Sequence, residues 1–83
     1  MIISCEHIKR RLAELNVRVG DLHFDPAYRM IEIFARADNK APGKYDAFAP
    51  DGIEALISDA ATYFHGLELT AKPVLDDGRK IPA

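Results

Sequence analysis

Cys5, His7, His23 and His65 are the residues of this chain best suited to hold a zinc ion. Zinc sites that can be recognised from sequence place such residues at spacings like C-x-x-C or H-x-x-x-H, which bring two ligands together. No two of the four have such a spacing. The sequence therefore predicts no metal site and no cofactor, and a small enzyme or metal-binding protein is only a second alternative.

Catalysis by a nucleophile would require a cysteine or serine beside a histidine and an acid. Cys5 and His7 are two positions apart, so on a helix their side chains point away from each other. The aspartates available for acid–base chemistry occupy turn-like positions, where aspartate is common for backbone reasons. No glycine-rich phosphate-binding motif occurs. We therefore predict no catalytic residues and no enzymatic activity.

Basic residues are concentrated in the first half of the chain. Residues 1–44 carry eight Lys or Arg against six acids, a charge of +2, and residues 45–83 carry three against seven, a charge of −4. The candidates for nucleic-acid binding are Lys9, Arg10, Arg11 and Arg18. The first three are consecutive, so they spread over about 200° of a helix instead of lining one face. The sequence pI near 5.8 is also unlike that of a duplex-binding domain. Nucleic-acid binding is therefore the alternative hypothesis.

Protein binding is the leading hypothesis, favoured chiefly by elimination. Tyr28, Tyr45 and Phe48 fall in or beside predicted loops, where aromatic residues serve as interface anchors. The alternative interpretation is that these aromatic side chains fold back on the core. Glu54 and Asp59 add an acidic outward face on the second predicted helix.

These features predict a non-catalytic module that binds a larger protein through a sheet edge, the 37–50 loop or the acidic helix face. The same edge suits a homodimer. Compact proteins of this size without motifs are frequent among bacterial and phage accessory proteins, including inhibitors such as anti-CRISPR proteins. That analogy concerns size alone.

Length and composition limit the organisation of the chain. With 83 residues, of which 48% are hydrophobic and 29% charged, it suits one globular domain with one core. The single cysteine excludes a disulfide within the chain and fits a reducing compartment. Charges interrupt every apolar stretch before the ~18 residues that a membrane span needs. We expect a cytoplasmic protein.

A first helix is predicted up to about Asn16, with Ser4 as its N-cap. Apolar residues recur at spacings of three, four and three, which places them on one stripe of the helix. They are Cys5, Ile8, Leu12 and Leu15.

Two strands follow, over residues 17–24 and 29–36. The first changes parity at Gly20, which predicts a bulge. The Asp and Pro that begin residues 25–28 favour a type I turn, which we expect to close a hairpin between the strands. The second strand has apolar residues on both faces, so we expect it to be central.

Residues 37–50 are predicted as a long loop, with a short extended piece over 45–48. A second helix then begins with Asp51 as its N-cap and Glu54 three positions later, and Gly66 follows it as a left-handed cap. The predicted inner face of this helix consists of Ile53, Leu56, Ile57, Ala60, Tyr63 and Phe64.

A last strand alternates over residues 67–72 and ends at Pro73. Residues 74–81 are predicted as a small hairpin, with a frayed tail over 76–83 as the alternative. The fold class is therefore α+β, a small two-layer sandwich of order α-β-β-α-β with an antiparallel or mixed sheet.

Overall fold

The computed structural model describes residues 5–25, 27–36, 39–40 and 43–74. The predicted order of two helices and three longer strands is confirmed. Two short strands lie inside the segment predicted as a loop, and one of them, Tyr45–Asp46, falls within the short extended piece predicted over 45–48. The predicted Ser4 cap and the 76–83 tail lie outside the described residues. The elements are α1 (Cys5–Glu14), β1 (Arg18–Leu22), β2 (Met30–Arg36), β3 (Asn39–Lys40), β4 (Tyr45–Asp46), α2 (Pro50–Tyr63) and β5 (Glu68–Val74).

The strands form one mixed sheet in the order β1-β5-β2-β3, with β4 also paired to β2. The strand β5 lies between β1 and β2, parallel to the first and antiparallel to the second. The predicted β1–β2 hairpin is therefore wrong. Its turn does form, since the Tyr28 amide donates to the Asp25 carbonyl at 2.9 Å. Residues 23–29 connect the two strands, however, which is longer than a tight hairpin loop and leaves room for β5 between them.

The predicted bulge at Gly20 is confirmed, because the β1–β5 register shifts between Val19 and Asp21. The extra residue brings Leu22 to the same face as Val19, and both pack against the core. The Glu68 side chain lies against the bulge, so that a Cβ on Gly20 would lie 2.7 Å from Glu68 Oε1. A larger residue at this position would have to displace Glu68.

The core lies between the helices and one face of the sheet. Burial alternates along β2 and β5, so their inward residues are buried and those on the opposite face are at least partly open. As predicted, β2 is central. The buried set is Ile8, Leu12, Val17, Ile31, Ile33, Tyr45, Ala47, Ile53, Leu56, Ile57, Ala60, Phe64, Leu69 and Ala71.

The first helix ends in a left-handed residue, Asn16, with φ 62. The Val17 amide donates to the Leu12 carbonyl at 2.9 Å and the Asn16 amide to the Ala13 carbonyl at 3.1 Å, which is the Schellman pattern. Because the helix has already ended at Glu14, the predicted core position Leu15 is 37% exposed.

The second helix begins two residues earlier than the predicted cap implies, at Pro50. Its N-cap is Ala49, without a side-chain bond, so the prediction of Asp51 as the cap is wrong. Proline lacks an amide hydrogen and already has a helical φ, so the first position here needs no cap acceptor. Tyr63, predicted to face inward, lies at the margin of the apolar stripe and is 53% exposed. The predicted left-handed Gly66 is confirmed by its φ of 81.

The ends of the two helices are tied together where each leads into a strand. The Gly66 amide donates to the Asn16 carbonyl at 2.8 Å, and the Arg18 amide donates to the Leu67 carbonyl at 3.1 Å. These bonds place β1 and β5 side by side from their first residues. Within the described ranges, neither helix is long and apolar enough to cross a membrane.

Candidate functional site

Two of the predicted partner-binding residues contact each other inside the fold. Tyr45 is only 5% exposed, and its hydroxyl donates to Asp59 Oδ2 at 2.6 Å. Burial, together with this bond, raises the pKa of Tyr45 above its ordinary value. Asp59, predicted to point outward, is half-buried. This pair fixes β4 to α2 and offers little side chain to a partner.

Phe48 and Tyr28 lie near the β4 end of the sheet. Phe48 is 37% exposed, whereas Tyr28 is half-buried. The Phe48 amide donates to Asp46 Oδ1 at 2.9 Å, and the other Asp46 oxygen accepts a bond from Arg29. The Arg29 bond and then the amide bond hold the pKa of Asp46 below its usual range. Phe48 is thus the most exposed of the three predicted aromatic anchors.

Glu54 and Arg11, which were predicted for two different functions, form an ion pair that joins α2 to α1. Arg11 Nη1 lies 2.8 Å from Glu54 Oε2, and Nη2 lies 3.1 Å from Oε1. This pair lowers the pKa of Glu54 and raises that of Arg11. Each charge is therefore already matched within the chain, and the acidic helix face is neutralised at this position.

The strand β1 has one open side. It pairs with β5, and no other strand in the described part of the chain lies along it. The amides of Arg18 and His23 donate to carbonyls on the β5 side, at 3.1 Å and 2.9 Å. Backbone groups of successive strand residues point to opposite sides, so those of Val19 and Leu22 face the open side. They are available to pair with another extended chain.

A groove of about 370 Å³ lies beside this open edge, between β1 and α1. Two of its lining residues are cationic, Lys9 and Arg18, and neither side chain has a hydrogen bond or ion pair among the described residues. The remaining lining is mostly apolar. The groove is lined by Lys9, Ala13, Asn16, Val17, Arg18 and Val19.

The residues considered for metal binding are scattered. Cys5 is half-buried, and the three histidines are exposed. His65 Nε2 lies 3.4 Å from Asn16 Nδ2. Across the described residues, no three cysteine, histidine or acidic side chains gather into a possible metal site.

The sequence identified Lys9 and Arg18 only as possible nucleic-acid contacts, and a sheet edge only in general terms. They lie close together because α1 packs against β1, and the pairing of β1 with the distant strand β5 decides which side of β1 is left open beside them. No local pattern reveals that pairing. Comparison with known proteins gives no further guide: no protein-family model, curated protein or solved structure matches the chain.

Proposed function

We propose that this chain is a non-catalytic protein-interaction module, a small cytoplasmic accessory or inhibitor protein that docks on a larger protein through the open edge of β1. The observation that carries this proposal is the side of β1 at Val19 and Leu22, along which no described strand lies, beside a groove. A partner segment in extended conformation satisfies these backbone groups by adding a strand to the sheet. Main-chain hydrogen bonds then supply affinity, and the groove supplies selectivity.

The other predicted surfaces are less suited to this role. Tyr45 and Asp59 bond to each other, and Glu54 bonds to Arg11, so a partner would have to displace contacts that the chain already makes. Phe48 is exposed but lies at the opposite side of the sheet from β1, where β4 pairs with β2. Phe48 is proposed as a secondary contact with the same partner.

Binding can be tested by capture from a nuclease-treated bacterial lysate with a tagged chain, comparing Val19→Lys with Met30→Lys. A lysine on an edge strand discourages strand addition, because its charge would have to be buried against the added chain. Met30→Lys makes the same replacement of a half-buried apolar residue on the central strand β2. Thermal unfolding of both variants establishes that they are folded at the temperature of capture.

The proposal predicts a stoichiometric protein partner that survives nuclease, is retained by Met30→Lys and is lost with Val19→Lys. If both variants capture the partner equally well, the partner does not dock on the β1 edge. Material that is lost on nuclease treatment would instead favour the nucleic-acid alternative, in which Lys9 and Arg18, cations without an ion-pair partner among the described residues, contact phosphates.

A further inference from the structure

We infer that the segment received by β1 is acidic: an extended peptide that pairs with the β1 edge and places carboxylates against Lys9 and Arg18. This inference rests on the proposed function and adds the chemical class of the partner segment. It follows from two separate properties of the surface, the direction of its backbone groups and the sign of its charge.

The backbone groups require a chain in extended conformation. An added strand repeats every two residues, with side chains alternating between its two faces. One of these faces lies over the groove, whose wall contains Ala13, Val17 and Val19. Because that wall is apolar, the groove-side residue at its centre is expected to be aliphatic.

The two cations that line the groove favour acids in the added strand. Lys9 belongs to α1 and Arg18 to β1, so a strand lying in the groove has a cation available from the helix and another from the edge. Both residues are exposed, and neither is neutralised by a described acid. An acid on each side of the aliphatic residue therefore complements the groove.

A nucleic acid fits the same surface less well. It could use the two cations through its phosphates, but it has no alternating amide and carbonyl groups to pair with Val19 and Leu22. A peptide uses both the edge and the cations.

The probe is a fluorescein-labelled peptide, Ac-Thr-Glu-Thr-Val-Thr-Glu-Thr-NH2, titrated by fluorescence anisotropy at low and at physiological salt. The comparison probe carries lysine in place of both glutamates. We expect the acidic probe to bind at least about tenfold more tightly than the lysine probe, and its advantage to fall as salt screens the charges. Amide NMR shifts should be largest along β1 and the adjoining face of α1.

Adjacent residues of α1 provide a matched pair of variants. Lys9→Glu and Arg10→Glu make the same change of charge at exposed positions, but only Lys9 lines the groove. Lys9→Glu, and independently Arg18→Glu, should weaken the acidic probe severalfold to tenfold, whereas Arg10→Glu should change its affinity less than twofold. N-methylating the probe at alternate residues should abolish binding for one set, the one facing β1, and spare the other.

Several results would overturn the inference. These are no binding of the acidic probe at 1 mM, equal affinity for both probes, or equal effects of Lys9→Glu and Arg10→Glu. If a single-stranded oligonucleotide binds with an affinity that depends on Lys9, and the peptide does not bind, the ligand of this surface is a nucleic acid and not a peptide. If sedimentation analysis shows a dimer that Val19→Lys dissociates, the occupant of the β1 edge is a second copy of this chain.

The failure of this inference differs from the failure of the proposed function. If a captured partner is lost with Val19→Lys but the lysine probe binds as well as the acidic one, only the acidic chemistry is wrong. If capture does not depend on Val19, the docking edge itself is wrong.

Discussion

Replacing Tyr45 by phenylalanine removes one oxygen from the boundary between β4 and α2 and leaves the aromatic ring in the core. The lost hydrogen bond joins a mostly buried hydroxyl to the Asp59 carboxylate over 2.6 Å. Bonds to charged groups contribute about 1.5–3 kcal/mol, and half-buried Asp59 can recover part of that by bonding to water. We therefore expect the free energy of unfolding to fall by about 1–2 kcal/mol, and the midpoint temperature by roughly 5–15 °C for a domain of this size.

The measurement is urea unfolding of the wild type, Tyr45→Phe, Asp59→Ala and the double variant. The cycle should give a coupling energy of about 1 kcal/mol between the two side chains. Tyr63→Phe is the control, since this tyrosine is 53% exposed, and its stability should stay within about 0.5 kcal/mol of the wild type. A coupling energy indistinguishable from zero would refute the reasoning.

The same pair predicts a dependence on alkaline pH. Burial, followed by the Asp59 bond, raises the pKa of Tyr45 in the folded state, whereas in the unfolded chain it is about 10. The resulting stability is fully present below that value and is lost as the pH rises above it, because the unfolded state then releases a proton that the folded state retains. Urea midpoints at pH 9 and 11 should therefore fall further for the wild type than for Tyr45→Phe, and equal falls would contradict the assignment.

Two further predictions concern Asp46. A Cβ added at Gly52 would lie 2.8 Å from the Asp46 amide nitrogen, so Gly52→Ala should lower the free energy of unfolding by roughly 1–3 kcal/mol. Gly43→Ala, whose Cβ meets no described atom within 4 Å apart from its chain neighbours, is the control and should stay within about 0.5 kcal/mol in urea unfolding. Because Arg29 holds the pKa of Asp46 low, its contribution to stability is present above the unfolded value and is lost as the pH falls through the folded one. Arg29→Ala should raise the Asp46 pKa in a carboxyl NMR titration and reduce the loss of stability in acid; an unchanged titration would contradict this.

The features that sequence predicted correctly depend on local geometry. The bulge at Gly20 follows from a change of parity within a few residues, and the left-handed Gly66 follows from the absence of a Cβ. The neighbours of β1 depend instead on a pairing between Arg18 and Glu68, and nothing in the intervening chain specifies it. The local pattern predicts a hairpin between β1 and β2, but the distant strand β5 pairs with both of them instead.

The candidate site was harder to predict for the same reason. The short extended piece predicted over 45–48 contains Tyr45, but its partner Asp59 is fourteen positions away, and no pattern within 45–48 reveals that contact. The charge of Lys9 and Arg18 identifies them in the sequence, but there they are grouped with Arg10 and Arg11, which do not line the groove. Arg11 was grouped with them although Glu54 neutralises it, a contact between two helices that periodicity within either helix cannot reveal.

The position of β5 at the centre of the sheet also determines the order in which this chain can fold during synthesis. The strands β1 and β2 both precede β5, and each depends on it for its long pairing. Before Glu68 has left the ribosome, the nascent chain contains α1, β1 and β2 but lacks β5, the strand that joins β1 to β2. During that interval both strands expose their edges to chaperones or to neighbouring chains. The emergence of a single segment, Glu68–Val74, then joins β1 to the part of the sheet that β2 forms with β3 and β4.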